Sequence, residues 1–473
     1  MNNRDGKAGI IIILLAAIIL IAALPWYLII SKNLDPDYVR SPPSTWGERP
    51  RETPFDPDNE EEPDIDLEPT PEPTPTPEPE PALPLVDTIF EIKDIDPELI
   101  RELNSIASEY SAVAVSLTMY DGDTGVYFTY EYGLADVEGR RSVDTETKFR
   151  VASLAKLTTV ICAMVLVDEG LLNLDTDISV YLGYEVINTN FPGTAITTRM
   201  LMQHTSSIFD SGAFTTSRDR NSSESIRALL ERGGSFRRNE PGSNFEYSNF
   251  GYSVIGAICE NISGKTLDTL ARDVLFRPLG IDASYVPSKM RDIENIAVLY
   301  NEQHAIVRSV EQQLEIEEAA VLGHDLHLAQ GNLTISTIDY ARILAMLGNL
   351  GVLRNVRILS EEAVEEIHKA DIEGTSFMQG LGTRFSQGGF IRNEGFFWHT
   401  GNAYGLYSQY LYSSRLDLSR GVVVAVTGAS IDRETSGMVG ICTEMSKVVW
   451  EQYDELIKAN EPEDENEEEE EED

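Results

Sequence analysis

The sequence predicts an α+β domain in which one antiparallel sheet is formed from both ends of the domain. Three observations indicate this: strand-like segments near residue 115, further strand-like segments after residue 380, and a mainly helical pattern between them. Helices are therefore expected to flank the sheet, with a mainly helical subdomain inserted between its two halves. An N-terminal transmembrane helix completes the predicted fold.

Residues 1–32 are predicted to form a short cytoplasmic stub and a membrane anchor. Ala8 to Ile30 is a run of uncharged, mostly apolar residues, long enough to cross a hydrocarbon core about 30 Å thick. Arg4 and Lys7 precede it and favour a cytoplasmic N-terminus. The chain is therefore expected to be a single-pass protein of the cell membrane with its folded domain outside the cytoplasm. A cleaved secretory signal is the alternative, which the mass of the mature chain would decide.

Two acidic segments are predicted to lie outside the folded domain. Residues 33–86 include "EPTPEPTPTPEPEPALP", in which frequent prolines favour an extended, disordered stalk. Residues 460–473 contain eleven acids and no base, and such a tail cannot bury apolar surface. Much of the net charge of −42 lies in these segments, which leaves roughly −20 for the folded domain at 87–459. This sign argues against nucleic acid as a partner.

Inside the folded domain, the segment "SAVAVSLTMYDGDTGVYFTYEYG" predicts two strands around the turn Asp121–Gly125. The segments "GGFIRNEGFFWHTG", "YGLYSQYLYSS" and "GVVVAVTGAS" predict three more strands. A last helix, from about Arg433 to Ile457, is expected to pack on them. Between these regions, "KFRVASLAKLTTVICAMVLVDEG" has apolar residues at helical intervals and ends at Gly170, so it predicts a helix.

Ser153 and Lys156 are the first candidate catalytic residues. They lie three residues apart at the start of the predicted helix, so the lysine amine can approach the serine hydroxyl. A serine needs a neighbouring base to act as a nucleophile, and apolar surroundings would lower the pKa of Lys156 enough for that role. Taken alone, the pair is explained more often by a helix-capping serine beside a lysine that reaches solvent.

Two later segments carry groups that suit the same chemistry. In "PGSNFEYSNFGYS", Tyr247 and Asn249 lie in a loop just before a predicted helix. A phenol near an ammonium can serve as a general base, and an amide can hold a substrate carbonyl and orient the lysine. In "FFWHTGNAYG", a predicted strand carries His399, Thr400 and Gly401. A glycine on an exposed strand lets a substrate backbone approach and pair.

The three elements in this order, Ser153-x-x-Lys156, Tyr247-x-Asn249 and His399-Thr400-Gly401, resemble the serine β-lactamase-related family. That family includes class C β-lactamases, D-alanyl-D-alanine carboxypeptidases and their esterase relatives. Segments such as "ITTRMLMQHTSSI" and "GNLTISTIDYARIL" are also similar to its pattern. The likeness spans about residues 105–452.

This resemblance implies a covalent serine mechanism. Ser153 would attack a carbonyl and form an acyl-enzyme, with proton transfer shared by Lys156 and Tyr247, and a water near Tyr247 would release the acyl group. Which of these two residues is the main base stays open. The resemblance also implies that the backbone N–H groups of Ser153 and Asn402 form the oxyanion hole. The substrate-binding residues that it implies are Asn249, His399, Thr400, Gly401 and Asn402.

Two positions depart from the family's pattern. Members that act on β-lactams or peptide carboxylates usually carry a lysine where His399 stands, and glycine is more usual where Ser207 stands. A lysine is a fixed positive charge, whereas a histidine is mostly neutral at pH 7. Carboxypeptidase or esterase activity is therefore expected rather than true β-lactamase activity. The expected substrate is a small molecule or a peptidoglycan-derived peptide, such as one containing D-Ala.

The other histidines and the cysteines indicate no metal site, and no cofactor is expected. His324 and His327 in "GHDLH" have no third group of ligands to join them, so that loop is expected to be structural. His204 is expected to be a hydrogen-bonded core residue. The three cysteines show no close spacing and are expected to be buried as small hydrophobic residues: Cys162, Cys259 and Cys442.

Two kinds of function remain open. The first is a membrane-anchored serine hydrolase that acts on an amide or ester outside the cytoplasm. The second is a catalytically silent cell-wall-binding protein of the same fold. The first is favoured because Ser153, Lys156, Tyr247 and Asn249 are all present, and binding alone does not require the lysine.

Overall fold

The computed structural model describes residues 97–121, 125–219, 225–232, 234–388, 395–414, 420–431 and 437–460. The predicted membrane anchor, the stalk and the acidic tail from residue 461 lie outside these ranges. Within them, no helix is both long enough and apolar enough to cross a membrane.

The strands are β1 (Ala114–Asp121), β2 (Gly125–Asp136), β3 (Arg141–Ser142), β4 (Lys148–Arg150), β5 (Leu299–Tyr300), β6 (Ile306–Arg308), β7 (Thr334–Ser336), β8 (Val352–Leu353), β9 (Val356–Arg357), β10 (Ile372–Glu373), β11 (Met378–Gln379), β12 (Arg384–Gln387), β13 (Gly395–Ala403), β14 (Leu406–Ser413) and β15 (Arg420–Thr427). The α-helices are α1 (Pro97–Glu109), α2 (Ala155–Asp168), α3 (Ser179–Leu182), α4 (Thr198–Met202), α5 (Gly212–Asp219), α6 (Ile226–Glu231), α7 (Asn249–Ser263), α8 (Leu267–Ala271), α9 (Val310–Leu314), α10 (Leu328–Gly331), α11 (Thr337–Gly348), α12 (Glu361–His368) and α13 (Gly440–Asn460).

A nine-stranded antiparallel sheet lies at the centre of the described structure, in the order β10-β11-β12-β13-β14-β15-β1-β2-β3. Strands from the two ends of the domain meet where β15 pairs with β1, from Ala114 opposite Thr427 to Asp121 opposite Arg420. The predicted hairpin is β1 and β2, and the three predicted C-terminal strands are β13, β14 and β15. The prediction of one antiparallel sheet flanked by helices is therefore confirmed.

Each face of the sheet has its own hydrophobic core. On one face, α1 and α13 pack on the sheet, and this core includes Leu103 of α1, Trp398 of β13 and Met445 of α13. On the other face, α11 packs against β1 and β15 and joins the sheet to the helical part of the chain. That helical part, α2 to α12, lies between β3 and β10 along the chain. The expected buried cysteines are confirmed, because all three are free and buried.

α1 is not among the predicted elements, although its sequence carries the usual signals. Pro97 stands at its start, and Leu99, Leu103 and Ile106 recur at helical spacing and are buried. The last helix also differs from the prediction, since α13 begins at Gly440 rather than near Arg433. Residues 432–436 lie outside the described ranges.

α2 is buried along nearly its whole length. Every residue from Ala155 to Leu166 is buried, and Gly170 follows its end with a φ of 72°, a conformation that glycine adopts most easily. Lys156 therefore lies in the first turn of a helix that is surrounded by other elements. This placement decides the chemistry of its amine.

Candidate active site

Ser153 lies in a strained turn that leads into α2. Ala152 has a φ of 49°, which is unfavourable for a residue other than glycine. The chain is held just before the strain: Val151 N donates to Leu333 O at 2.9 Å, and Val151 O accepts from Ser408 Oγ at 2.8 Å. The surrounding structure thus fixes the position of the serine.

The explanation of Ser153 as a helix cap and of Lys156 as a surface lysine is wrong. The N-cap of α2 is Leu154, and it makes no side-chain capping bond. Lys156 has no exposed surface. The two residues instead lie beside each other, with 3.2 Å between Lys156 Nζ and Ser153 Oγ.

Lys156 has two further polar neighbours. Its Nζ lies 2.9 Å from Asn249 Oδ1 and 2.5 Å from the backbone oxygen of Gln330. Burial lowers the pKa of Lys156 below its ordinary value, although Tyr247 acts in the opposite direction. Because the charged form is disfavoured, the neutral amine is more accessible here than in an exposed lysine.

These neighbours direct the lone pair of the neutral amine. Asn249 Oδ1 and Gln330 O can only accept hydrogen bonds, so they take the two N–H groups of a neutral lysine. The lone pair of Lys156 then points to its third neighbour, Ser153 Oγ. The arrangement allows the amine to accept the proton of the serine hydroxyl.

Asp210 determines the orientation of the Asn249 amide. Its Oδ2 accepts from Asn249 Nδ2 at 2.7 Å, which leaves Asn249 Oδ1 facing the lysine. Its Oδ1 accepts from Phe250 N at 2.8 Å and from Ser248 Oγ at 3.3 Å. Asp210 therefore fixes the start of α7, the helix that presents Asn249. No sequence motif identified Asp210 as a site residue.

Tyr247 is the third group beside the nucleophile. Its Oη donates to Ser153 Oγ at 2.9 Å. The ring packs against His204, with 4.4 Å between the ring centroids. The expectation that His204 is a hydrogen-bonded core residue is confirmed, since it is buried and its Nδ1 accepts from Ser248 N at 3.1 Å. His204 thus supports Tyr247 from behind.

β13 runs beside the serine turn and carries four predicted residues. A Cβ on Gly401 would lie 2.5 Å from Val151 O and 2.2 Å from Ser408 Oγ, so only glycine allows this close approach. Thr400 is half-buried and Asn402 is exposed. Within the described residues, neither of these two side chains hydrogen-bonds to Ser153, Lys156 or Tyr247.

The remaining predicted residue on β13, His399, is buried near Tyr247, with 6.2 Å between the ring centroids. Burial, together with the charges of Arg384 and Lys156, holds the pKa of His399 well below its ordinary value. His399 is therefore neutral at pH 7. Its Nδ1 is bonded to Thr400 O, and its Nε2 is buried without a partner among the described residues.

Arg384 supplies a positive charge that the sequence analysis missed. It lies on β12 opposite Trp398, the neighbour of His399. Its guanidinium carbon is 5.8 Å from the centroid of the Tyr247 ring and 4.5 Å from that of Phe377. A guanidinium stays protonated in proteins. The cation beside the cleft is therefore on the adjacent strand, where no motif signals it.

The two other features singled out in the sequence have structural explanations. Asp325, between His324 and His327, accepts from the backbone N–H groups of His327 and Leu328 at 2.8 and 2.7 Å and so supports the start of α10. Ser207 has a φ of 65°, which explains why glycine is more usual there. Among the described residues, no group of histidines, cysteines and acids could hold a metal ion.

The sequence model of the β-lactamase family matches residues 98–434, which is most of the chain. The chain therefore belongs to the β-lactamase family, a family of serine hydrolases, and the resemblance carried by the three motifs is confirmed. The chain is 29% identical to Protein flp of Staphylococcus aureus (strain N315) over an aligned segment of 157 residues. This segment covers 33% of this chain and 31% of that protein. The chain thus spans about a third of the length of the curated relatives that it matches.

Solved structures show the same fold at low sequence identity. The octameric penicillin-binding protein homologue from Pyrococcus abyssi has a TM-score of 0.59 and 20% identity, over 75% of this chain and 76% of that one. The β-lactamase/D-alanine carboxypeptidase from Pseudomonas syringae has a TM-score of 0.58 and 16% identity, over 77% and 99% of the two chains. At these identities the likeness concerns the fold alone.

The contact between β13 and the serine turn can be tested at Gly401. Gly401→Ala places a methyl group against Val151 O and Ser408 Oγ, so it moves the strand away from Ser153. We expect the rate at which a fluorophosphonate labels the protein to fall at least about tenfold, because a misplacement of catalytic groups by about 1 Å can cost about 100-fold in rate. The matched control is Gly193→Ala, where an added Cβ meets nothing within 4 Å.

Labelling of Gly401→Ala at the wild-type rate would show that the strand does not need this close approach. Thermal unfolding of both variants separates a displaced strand from a chain that fails to fold.

Proposed function

We propose that this protein is a serine hydrolase that forms an acyl-enzyme on Ser153 and cleaves amide or ester bonds. One observation carries the proposal: Ser153 Oγ lies within hydrogen-bond distance of a fully buried lysine amine and of a tyrosine hydroxyl. A serine hydroxyl with two adjacent proton acceptors or donors is the usual arrangement of an activated nucleophile. Burying a lysine costs free energy because its charged form loses its hydration, and a protein that only binds its ligand gains nothing from this loss.

In the proposed acylation step, Ser153 Oγ attacks the substrate carbonyl and its proton passes to Lys156 Nζ or Tyr247 Oη. The same proton then moves to the leaving amine or alcohol as the bond to the carbonyl carbon breaks. Both groups lie within 3.2 Å of the hydroxyl. Lys156 would take the first proton as the neutral amine, whereas Tyr247, which donates to Ser153 Oγ as a neutral phenol, would take it only as the phenolate. In deacylation, a water near Tyr247 attacks the ester and restores the serine.

The developing oxyanion would be stabilised by the backbone N–H groups of Ser153 and Asn402. Asn249 would bind the substrate amide, and Thr400 and Gly401 would line the cleft. This part of the proposal is supported by the position of β13, which runs directly beside the turn that carries Ser153. β13 also extends beyond its last pair with β12, Arg384–Trp398, so residues 399–403 offer an edge to a substrate backbone.

The substrate that we propose carries a carboxylate near the scissile bond. His399 is neutral and cannot attract it, whereas Arg384 places a cation next to Tyr247 and Trp398. D-Ala-ended wall peptides have such a carboxylate. Esters of D-alanine are the second possibility, but their carboxyl group is esterified and uncharged, so they would not use the charge of Arg384. We propose that this activity takes place outside the cytoplasm. A membrane anchor formed by Ala8 to Ile30 would hold the domain there, on a stalk of about fifty residues that spans up to about 150 Å when extended.

The acyl-enzyme can be tested by labelling the full chain with a fluorophosphonate and with a fluorescent penicillin. We expect at least one probe to modify Ser153, as located by mass spectrometry of the peptides, and Ser153→Ala to remain unlabelled. Lys156→Met should slow labelling about 100-fold or more, the usual size of a general-base contribution. The matched control is Lys265→Met, because that lysine is half exposed and pairs with Asp273 at the surface.

If neither probe labels the wild-type chain, or if labelling persists in Ser153→Ala, the hydrolase proposal fails. The first of these outcomes favours the silent binding protein.

The role of Arg384 can be tested with a pair of peptides that end in D-Ala-D-Ala, one with a free carboxylate and one with a C-terminal amide. We expect Arg384→Gln to lower kcat/KM for the free acid by about 10–100-fold, the usual contribution of a hydrogen bond to a charged group. The amide should change less than about threefold, since it has no charge to lose, and Arg384→Lys should restore part of the activity.

Equal losses for the two peptides would contradict this assignment and make Arg384 a packing residue for Tyr247 and Phe377.

A further inference from the structure

A second cavity, of about 620 Å³, lies between the segment that follows α8 and the β8–β9 hairpin. None of Ser153, Lys156 and Tyr247 lines it. Asp282 is the one acid among the described residues that line it. The cationic side chains are unusually many for a chain with a net charge of −42: Arg272, Arg277, Lys289, Arg291, Arg342 and Arg354.

The carboxylates near these cations lie deeper than the cations do. Asp339 is 2% exposed and contacts Arg342 at 2.5 Å. Asp282 is 12% exposed and lies 3.6 Å from Arg291, which is 68% exposed. A carboxylate that binds one edge of a guanidinium orients it and leaves its other N–H donors available.

Arg277 and Lys289 are also paired, with Asp273 and Glu318 at 2.6 Å each, and both carboxylates are less exposed than their cations. The ion pairs therefore orient these four cations and leave part of each one exposed.

The β8–β9 hairpin brings one of the cations over the cavity. Its two loop residues, Arg354 and Asn355, have φ angles of 47° and 71°, as in the tight turns that suit two-residue hairpins. Burial and the nearby charge of Arg342 lower the pKa of Arg354. Arg354 lines the cavity from the exposed tip of this hairpin.

The deeper wall of the cavity is apolar. Phe276 and Leu279 are buried, and Val356 is half-buried on the hairpin. A cavity of this size with apolar walls and a few convergent polar groups is typical of small-molecule sites. We propose that this cavity binds an amphiphilic anion, in which a phosphate or carboxylate group contacts the cationic rim and an apolar body packs on the inner wall.

The proposal can be tested by calorimetric titration of the full chain with dodecyl phosphate and with dodecanoate, each kept below its micelle concentration. We expect saturable binding of at least one of them that weakens with added salt. If only the phosphate binds, the natural ligand is a phosphate ester, and if only the carboxylate binds, it is a fatty acid. Inorganic phosphate and neutral dodecyl maltoside should both bind at least about tenfold more weakly.

The variant to measure is Arg277→Gln with Arg354→Gln, which should weaken binding about tenfold or more. The matched control replaces Arg227 and Arg232 by Gln, two exposed arginines that do not line the cavity. Ser153→Ala should bind as wild type does, because the catalytic cleft is a different site. Thermal unfolding checks that each variant is folded.

Four results would overturn the proposal: no binding of either dodecyl phosphate or dodecanoate, equal binding of dodecyl maltoside, equal binding of inorganic phosphate, or unchanged affinity in the folded variant Arg277→Gln with Arg354→Gln.

Discussion

The site depends on the burial of one amine. Lys156 has no exposed surface, and the loss of hydration on burial disfavours its charged form. The fold surrounds it with two oxygens that accept hydrogen bonds, Asn249 Oδ1 and Gln330 O, and with the hydroxyl of Ser153. These oxygens occupy the N–H groups of the neutral amine and leave its lone pair for the serine. A lysine at the surface would be protonated at pH 7 and unable to act as a base.

The rest of the architecture holds these groups in register. The helical part provides α2 with the lysine and α7 with Asn249, whose amide is oriented by Asp210. The sheet provides β13, which approaches the serine turn so closely that there is no space for a side chain at the position of Gly401. The site thus lies where the helical part meets the sheet, and neither part forms it alone.

The sequence predicted the antiparallel sheet. It also predicted four site residues, Ser153, Lys156, Tyr247 and Asn249, because their spacing within short motifs can be recognised without knowledge of the fold. It could not predict Asp210 or Gln330. The first is distant in the chain from the residues that it orients, and the second acts through its backbone oxygen. Arg384 on β12 was missed because only the pairing of β12 with β13 brings it beside the cleft. α1 could have been predicted from its apolar spacing.

The most direct test is a titration of Lys156 itself. Carbon-13 labelling of the lysine side chains, with the signal assigned by its loss in Lys156→Arg, allows the pKa of this one amine to be followed by NMR. The account predicts a pKa clearly below the ordinary lysine value of about 10.4, in agreement with the direction that burial imposes. A Lys156 that titrates together with the surface lysines, or above them, would contradict it.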